Sequence, residues 1–139
     1  MATYTFAAAL PEPISKLRPH VESALKSEGF GVLTEIDVAA TLKAKLGHDR
    51  TPYLILGACN PNLAERALEI DPSIGALLPC NVVLRESATR GTIVEIVDPE
   101  VALGIAGSAA LTPLAAETAE RLRRVLDALV ARPWAGVTV

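Results

Sequence analysis

A chain of 139 residues, half of them apolar and about a fifth charged, is the size of one domain and rich enough in core-forming side chains to fold unaided. Its 13 basic residues are spread among 16 acidic ones for a formal net charge of −3, which argues against the basic footprint that nucleic-acid binding requires. No apolar run reaches the roughly eighteen residues of a membrane span, and the opening MATYTFAAALPEP lacks the basic and apolar regions of a secretory leader, so a cytoplasmic protein with neither nucleic-acid nor membrane partner is expected.

Thr3 to Leu10 begins with β-favouring residues and stops at Pro11, which predicts a first strand. From Ile14 the apolar positions Leu17, Val21, Ala24 and Leu25 follow helical spacing, with Gly29 where a helix-terminating residue belongs and Glu22 placed to pair with Lys26. Pro19 lies inside this pattern. It fits a helix capped by Ser15, with the proline just after its first turn, or one that begins near Pro19 itself.

Phe30 to Ile36 reads as a second strand, with Phe30, Val32 and Ile36 on one side and Gly31, Leu33 and Glu35 on the other. Asp37 then caps a short helix through Leu46, closed by Gly47. Tyr53 to Cys59 is apolar on both faces, the mark of a central strand or of one whose second face is also covered. Asn60 and Pro61 open a helix that runs to Asp71-Pro72, a bridging turn covers Ser73 to Pro79, and Asn81–Glu86 with Thr92–Val97 form a hairpin. Asp98-Pro99 starts a short helical stretch. Thr112-Pro113 caps the last helix, whose stripe is Leu114, Thr118, Leu122, Val125, Leu126 and Leu129, braced by Glu117–Arg121 and Glu120–Arg124. Beyond Arg132 the chain carries no pattern.

No linker or repeat divides residues 1–139, so one domain is expected. The helices cluster at the ends and the last two strands have no long helix between them. This predicts an α+β, two-layer domain: an antiparallel-rich sheet with helices on one face.

Two near mirror images stand out, Cys59-Asn60-Pro61 and Pro79-Cys80-Asn81, and Cys59, Asn60, Cys80 and Asn81 are the candidate binding residues. Cys59 precedes a helix N-terminus, where unpaired N–H groups favour a thiolate or an approaching anion. If their strands run antiparallel the thiols meet at one edge of the sheet, and if parallel they lie at opposite edges. Such a pair serves either as a reactive site or as small apolar filler, since free cysteine is among the most buried residue types. Two cysteines twenty residues apart lack the ligand number and spacing of a zinc site, and no metal or other cofactor is expected. His20, on the polar side of its helix, and His48, in a loop, read as surface residues. Glu35, Asp37, Arg85, Glu86 and Glu95 read as the solvated charges of an exposed sheet face, and the Gly104–Ser108 stretch lacks the context of a phosphate loop.

Gly29–Asp37, Leu56–Pro61 and Leu77–Val83 resemble three separated signatures of the bacterial and archaeal family called domain of unknown function 302, in the family's order and within a match running from Tyr4 to Leu129. The resemblance implies a fold like that of the TATA-box-binding protein, strand, helix, four strands, helix, and often a homodimer; Pro19 departs from its pattern. It implies no settled activity, and likeness of fold carries no DNA binding with it. The expectation is therefore a dimeric module that binds a small ligand or a partner, the doubly apolar strand Tyr53–Cys59 supplying the reason for a homodimer. The alternative is a thiol-dependent redox or sulfur-handling protein using Cys59 and Cys80.

Overall fold

The computed structural model describes residues 2–134. Strand β1 (Thr5–Leu10) leads to helix α1 (Ile14–Ser27), strand β2 (Gly31–Asp37) and helix α2 (Val38–Leu46). Strand β3 (Tyr53–Cys59) is followed by helix α3 (Pro61–Ile70), a 3-10 turn over Pro72–Leu77, and the hairpin of β4 (Cys80–Ser87) and β5 (Gly91–Val97). Helix α4 (Pro99–Gly104) and a 3-10 turn at Ala109–Leu111 precede the long helix α5 (Thr112–Ala131). The frame is strand, helix, four strands, helix, with short helices inserted in the connections, as the resemblance implied.

The five strands form one sheet in the order β1-β5-β4-β3-β2, every neighbour antiparallel. Alternation along each strand sends Leu10, Ile96, Val94, Val82, Leu84, Leu54, Leu56 and Ala58 to one face, where they are buried. Leu17, Val21 and Leu25 of α1 and the stripe Leu114, Leu122, Val125, Leu129 of α5 close over them in a single core. The helical stripes were legible because their 3.6-residue spacing is the packing surface itself.

Several local expectations are corrected. Thr3 and Tyr4 lie in a turn, and β1 begins at Thr5. Helix α1 starts at Ile14, after Pro13 rather than Ser15, and Pro19 sits inside it, where it has no N–H to give the preceding turn. Glu22 pairs backward with Arg18 rather than forward with Lys26. Thr112 is the first residue of α5 and not its cap: Leu111 already has helical backbone, because the 3-10 turn runs straight into the helix. The braces Glu117–Arg121 (3.4 Å) and Glu120–Arg124 (3.1 Å) form as expected.

The second strand carries the largest difference. A bulge between Val32 and Thr34 leaves Leu33 without a pairing partner on β3 and reverses the alternation beyond it. Val32 packs against the core, whereas Ile36 faces away from it. Phe30, read as part of the strand, is buried just ahead of it.

No helix among the described residues is long and apolar enough to cross a membrane.

Candidate functional site: the open sheet face and its cysteine rim

The face of the sheet opposite the helices is laid out by the strand registers. Its middle row runs Ala7, Glu95, Val83, Ile55, Ile36 from β1 to β2. On one side lie Ala9, Ile93, Arg85 and Tyr53; on the other, Thr5 and Val97, then Asn81, Gly57 and Thr34. Ile55, Val83, Ile93 and Tyr53 are half-buried by one another, and Ile36 is 50% exposed. The second face of β3 is therefore apolar, as expected.

The charges expected on this face are mostly elsewhere. Beyond the bulge, Glu35 points to the helix side and binds Arg18 of α1. Asp37 caps α2, its carboxylate accepting the Ala40 N–H at 2.8 Å. Glu86 pairs with Thr92, on the parity of the helix face. Only Arg85 and Glu95 remain, and each neutralises the other: Arg85 Nε donates to Glu95 Oε1 at 2.8 Å, while Thr5 Oγ1 donates to Glu95 Oε2 at 3.1 Å.

The antiparallel alternative holds for β3 and β4, so Cys59, Asn60, Cys80 and Asn81 gather at one rim of the sheet. The two thiols, however, face opposite ways. The register sets Ala58, not Cys59, opposite Cys80. An offset of one residue changes face, so Cys80 points into the core with Val82 and Leu84, whereas Cys59 shares the open face with Gly57 and Ile55. Both are free thiols. Burial raises the pKa of each, and that of Cys80 is pushed up to about 11, first by desolvation and then by the neighbouring Cys59 charge.

Of the two readings left open, the upward shift of both thiols sides with small apolar filler rather than with a thiolate at the start of α3. The helix terminus is already served: Asn60 Oδ1 accepts the Leu63 N–H at 3.3 Å. The Asn60 amide also donates to the Glu28 carbonyl at 3.3 Å, tying α3 to the end of α1. With both ends of its side chain engaged and only 8% of it exposed, Asn60 ties the rim together. Its amide also sits against Gly29, which has a φ of +84° and where a Cβ would fall 2.7 Å from Asn60 Nδ2, so two constraints demand glycine there. Arg121 Nη1 donates to the same Glu28 carbonyl at 3.2 Å, and Arg124 holds the Glu28 carboxylate through Nε at 3.0 Å and Nη2 at 2.9 Å. Asn81 is exposed on the open face.

His48 is exposed, as expected, but His20 is half-buried with its ring edge-on to Trp134 at 5.2 Å. No group of three or more His, Cys, Asp or Glu among the described residues is arranged to hold a metal ion.

The family model described as "Domain of unknown function DUF302" matches residues 6–129. Among solved structures, the chain is similar to an uncharacterised conserved DUF302 protein from Bacillus stearothermophilus, at 32% identity and a TM-score of 0.83, covering 91% of this chain and 98% of that one. No curated protein matches. With the match spanning most of the sequence and the same fold in a relative of nearly equal extent, the chain belongs to the DUF302 family.

Proposed function

We propose that the protein is a self-associating interaction module, in which two copies pack their open sheet faces against each other. The observation that carries this reading is the composition of the face. An exposed antiparallel sheet on a monomer presents alternating polar residues to water, and this one presents Ile36, Ile55, Val83, Ile93 and Tyr53 around a single internally neutralised ion pair. A face with no net charge can meet its own copy across a two-fold axis without like-charge repulsion, which a face carrying a field of one sign cannot do.

The dimensions suit such a contact. Five strands at roughly 4.8 Å spacing and six to eight residues in length give a plane about 20 Å by 20–25 Å. That is roughly 400–500 Å² in projection before the relief of the side chains is counted, more than half of the roughly 800 Å² per partner of a standard interface.

Light scattering at micromolar concentration tests the reading. The wild-type chain is expected at twice its 14.6 kDa mass, and Val83→Asp or Ile55→Asp at the monomer mass with an unchanged circular dichroism spectrum. A wild-type protein that is monomeric at that concentration overturns it. The thiol-dependent alternative gains nothing from a rim where the two sulfur atoms belong to opposite faces and neither thiol is acidified.

A further inference from the structure

A second feature lies away from the open face, where the loop between β1 and α1 meets the end of α5. Glu12 stands between Pro11 and Pro13, two residues that restrict the backbone around it. Its carbonyl is anchored by the fully buried Thr92, whose hydroxyl donates to it at 2.5 Å. The residue is only 8% exposed, yet its carboxylate has no hydrogen bond and no ion pair among the described residues. Its oxygens are not sealed off, since Arg121 Nε is the only buried side-chain nitrogen or oxygen without a partner among the described residues; the carboxylate meets solvent and has no protein group to neutralise it.

Glu12 lines a cavity of about 390 Å³, within the range of small-molecule sites. Trp134, Pro133, Lys16, Arg132 and His20 line the same cavity. Trp134 is fixed in place: its indole N–H donates to the Leu129 carbonyl at 2.9 Å, His20 meets its ring edge-on, and the Arg132 guanidinium lies 5.2 Å from its centroid. The cavity thus combines one carboxylate without a protein partner, two cationic side chains and an aromatic ring held by its own contacts.

We propose that this cavity binds a small zwitterion of the α-amino-acid class. The ligand's ammonium group meets the Glu12 carboxylate, its carboxylate meets Lys16 and Arg132, and its apolar side chain lies against Trp134 and Pro133. A simple anion is disfavoured by Glu12, and a simple cation by the two basic residues. Only a molecule carrying both charges a few ångströms apart satisfies both ends.

Trp134 is the only tryptophan in the chain, so its emission reports on one ring; that ring also lines a neighbouring cavity with Ala9, Leu10 and Val130, and the Glu12 and Lys16 variants, which touch only the first cavity, assign the response. The experiment titrates the full-length protein with L-leucine, 3-methylbutylamine and 4-methylpentanoate, which share the apolar group and differ in charge, and follows Trp134 emission together with the heat of binding. L-Leucine is expected to give a saturable change, and the two singly charged analogues to bind at least tenfold more weakly or not at all. Glu12→Gln, which preserves shape and the carbonyl bond to Thr92, is expected to weaken L-leucine at least tenfold. Lys16→Met, on the exposed side of α1, gives a second reading independent of the stability of the Glu12 loop, and is expected to weaken L-leucine severalfold. The proposal is overturned by the absence of any saturable response to L-leucine up to tens of millimolar, by equal binding of 4-methylpentanoate, or by affinity unchanged in Glu12→Gln or Lys16→Met.

Discussion

Asn60 and Glu28, 32 residues apart, are joined by a hydrogen bond from the asparagine amide to the glutamate carbonyl at 3.3 Å, while the other end of the same amide caps helix α3. One side chain therefore fixes both where α3 begins and where α1 ends. Replacing it by alanine removes the cap, worth about 1 kcal/mol in typical proteins, and the strap as well. Asn60→Ala is expected to lower stability by about 2 kcal/mol in urea denaturation. Asn60→Asp keeps the cap but turns an acceptor toward the Glu28 carbonyl, so its loss should come from the strap alone. If Asn60→Ala costs less than a few tenths of a kcal/mol, the residue does not hold the rim.

Cys80 makes stability depend on alkaline pH. Its folded pKa of about 11 lies above the roughly 8.5 of a free thiol, so the fold favours the protonated form. This contribution is complete below the unfolded value and is lost as pH rises between the two values. It amounts to about 3 kcal/mol, since each unit is worth 1.36 kcal/mol. Cys80→Val fills the same apolar site without an ionisable group. The stability difference between wild type and variant should shift by that amount in the variant's favour from pH 8 to pH 11. A constant difference across this range would mean that Cys80 ionises as freely in the fold as out of it. In the native protein at neutral pH, a thiol reagent should label Cys59 well before Cys80.

The ion pair Arg85–Glu95 makes a prediction about association that hydrophobic substitutions do not. Arg85→Ala leaves the Glu95 carboxylate, whose side chain is only 16% exposed, without its cation in the middle row of the open face. Two such carboxylates brought together across a dimer repel, so the variant should shift toward monomer in light scattering. Arg85→Ala with Glu95→Ala removes both charges and should restore much of the association. A double variant as dissociated as the single one would show that the pair acts through folding rather than through the neutrality of the face.

What was legible in the sequence followed from periodicity and termini. The core stripes of α1 and α5, the strand Tyr53–Cys59, the Asp37 cap and the Asn60-Pro61 helix start all express local rules that the fold obeys. What was not legible depends on pairing between strands. The bulge at Leu33 moves Ile36 onto the open face and Glu35 off it, and no rule acting within a single strand reveals where a bulge falls. The cysteines show the same division: their common rim followed from antiparallel strands, but their opposite faces depend on a register known only once Ala58 is seen opposite Cys80. Glu12 went unnoticed because an isolated acidic residue between prolines resembles any exposed turn, and only the packing of Thr92 and Trp134 around it gives it a recess.

Gly57 tests the packing of the rim from the open side. It pairs with Thr34 on β2 and Asn81 on β4, and the space its side chain would occupy is already held by the Thr34 hydroxyl and the Pro79 ring. A Cβ there would overlap the Thr34 oxygen outright and come within 2.8 Å of Pro79 Cγ. The threonine hydroxyl can rotate away, but the proline ring has little freedom, so Gly57→Ala must displace the chain just before β4 or spread β2 from β3. Such overpacking ordinarily costs about 1–3 kcal/mol, and a loss in this range is expected in denaturant unfolding. Adding Thr34→Ala removes the hydroxyl and leaves the proline contact, so the double variant should recover part of the loss and not all of it. Full recovery would place the whole clash at Thr34; no recovery would assign it to Pro79, whose ring then sets the spacing of the strand ends that carry Cys59 and Asn81.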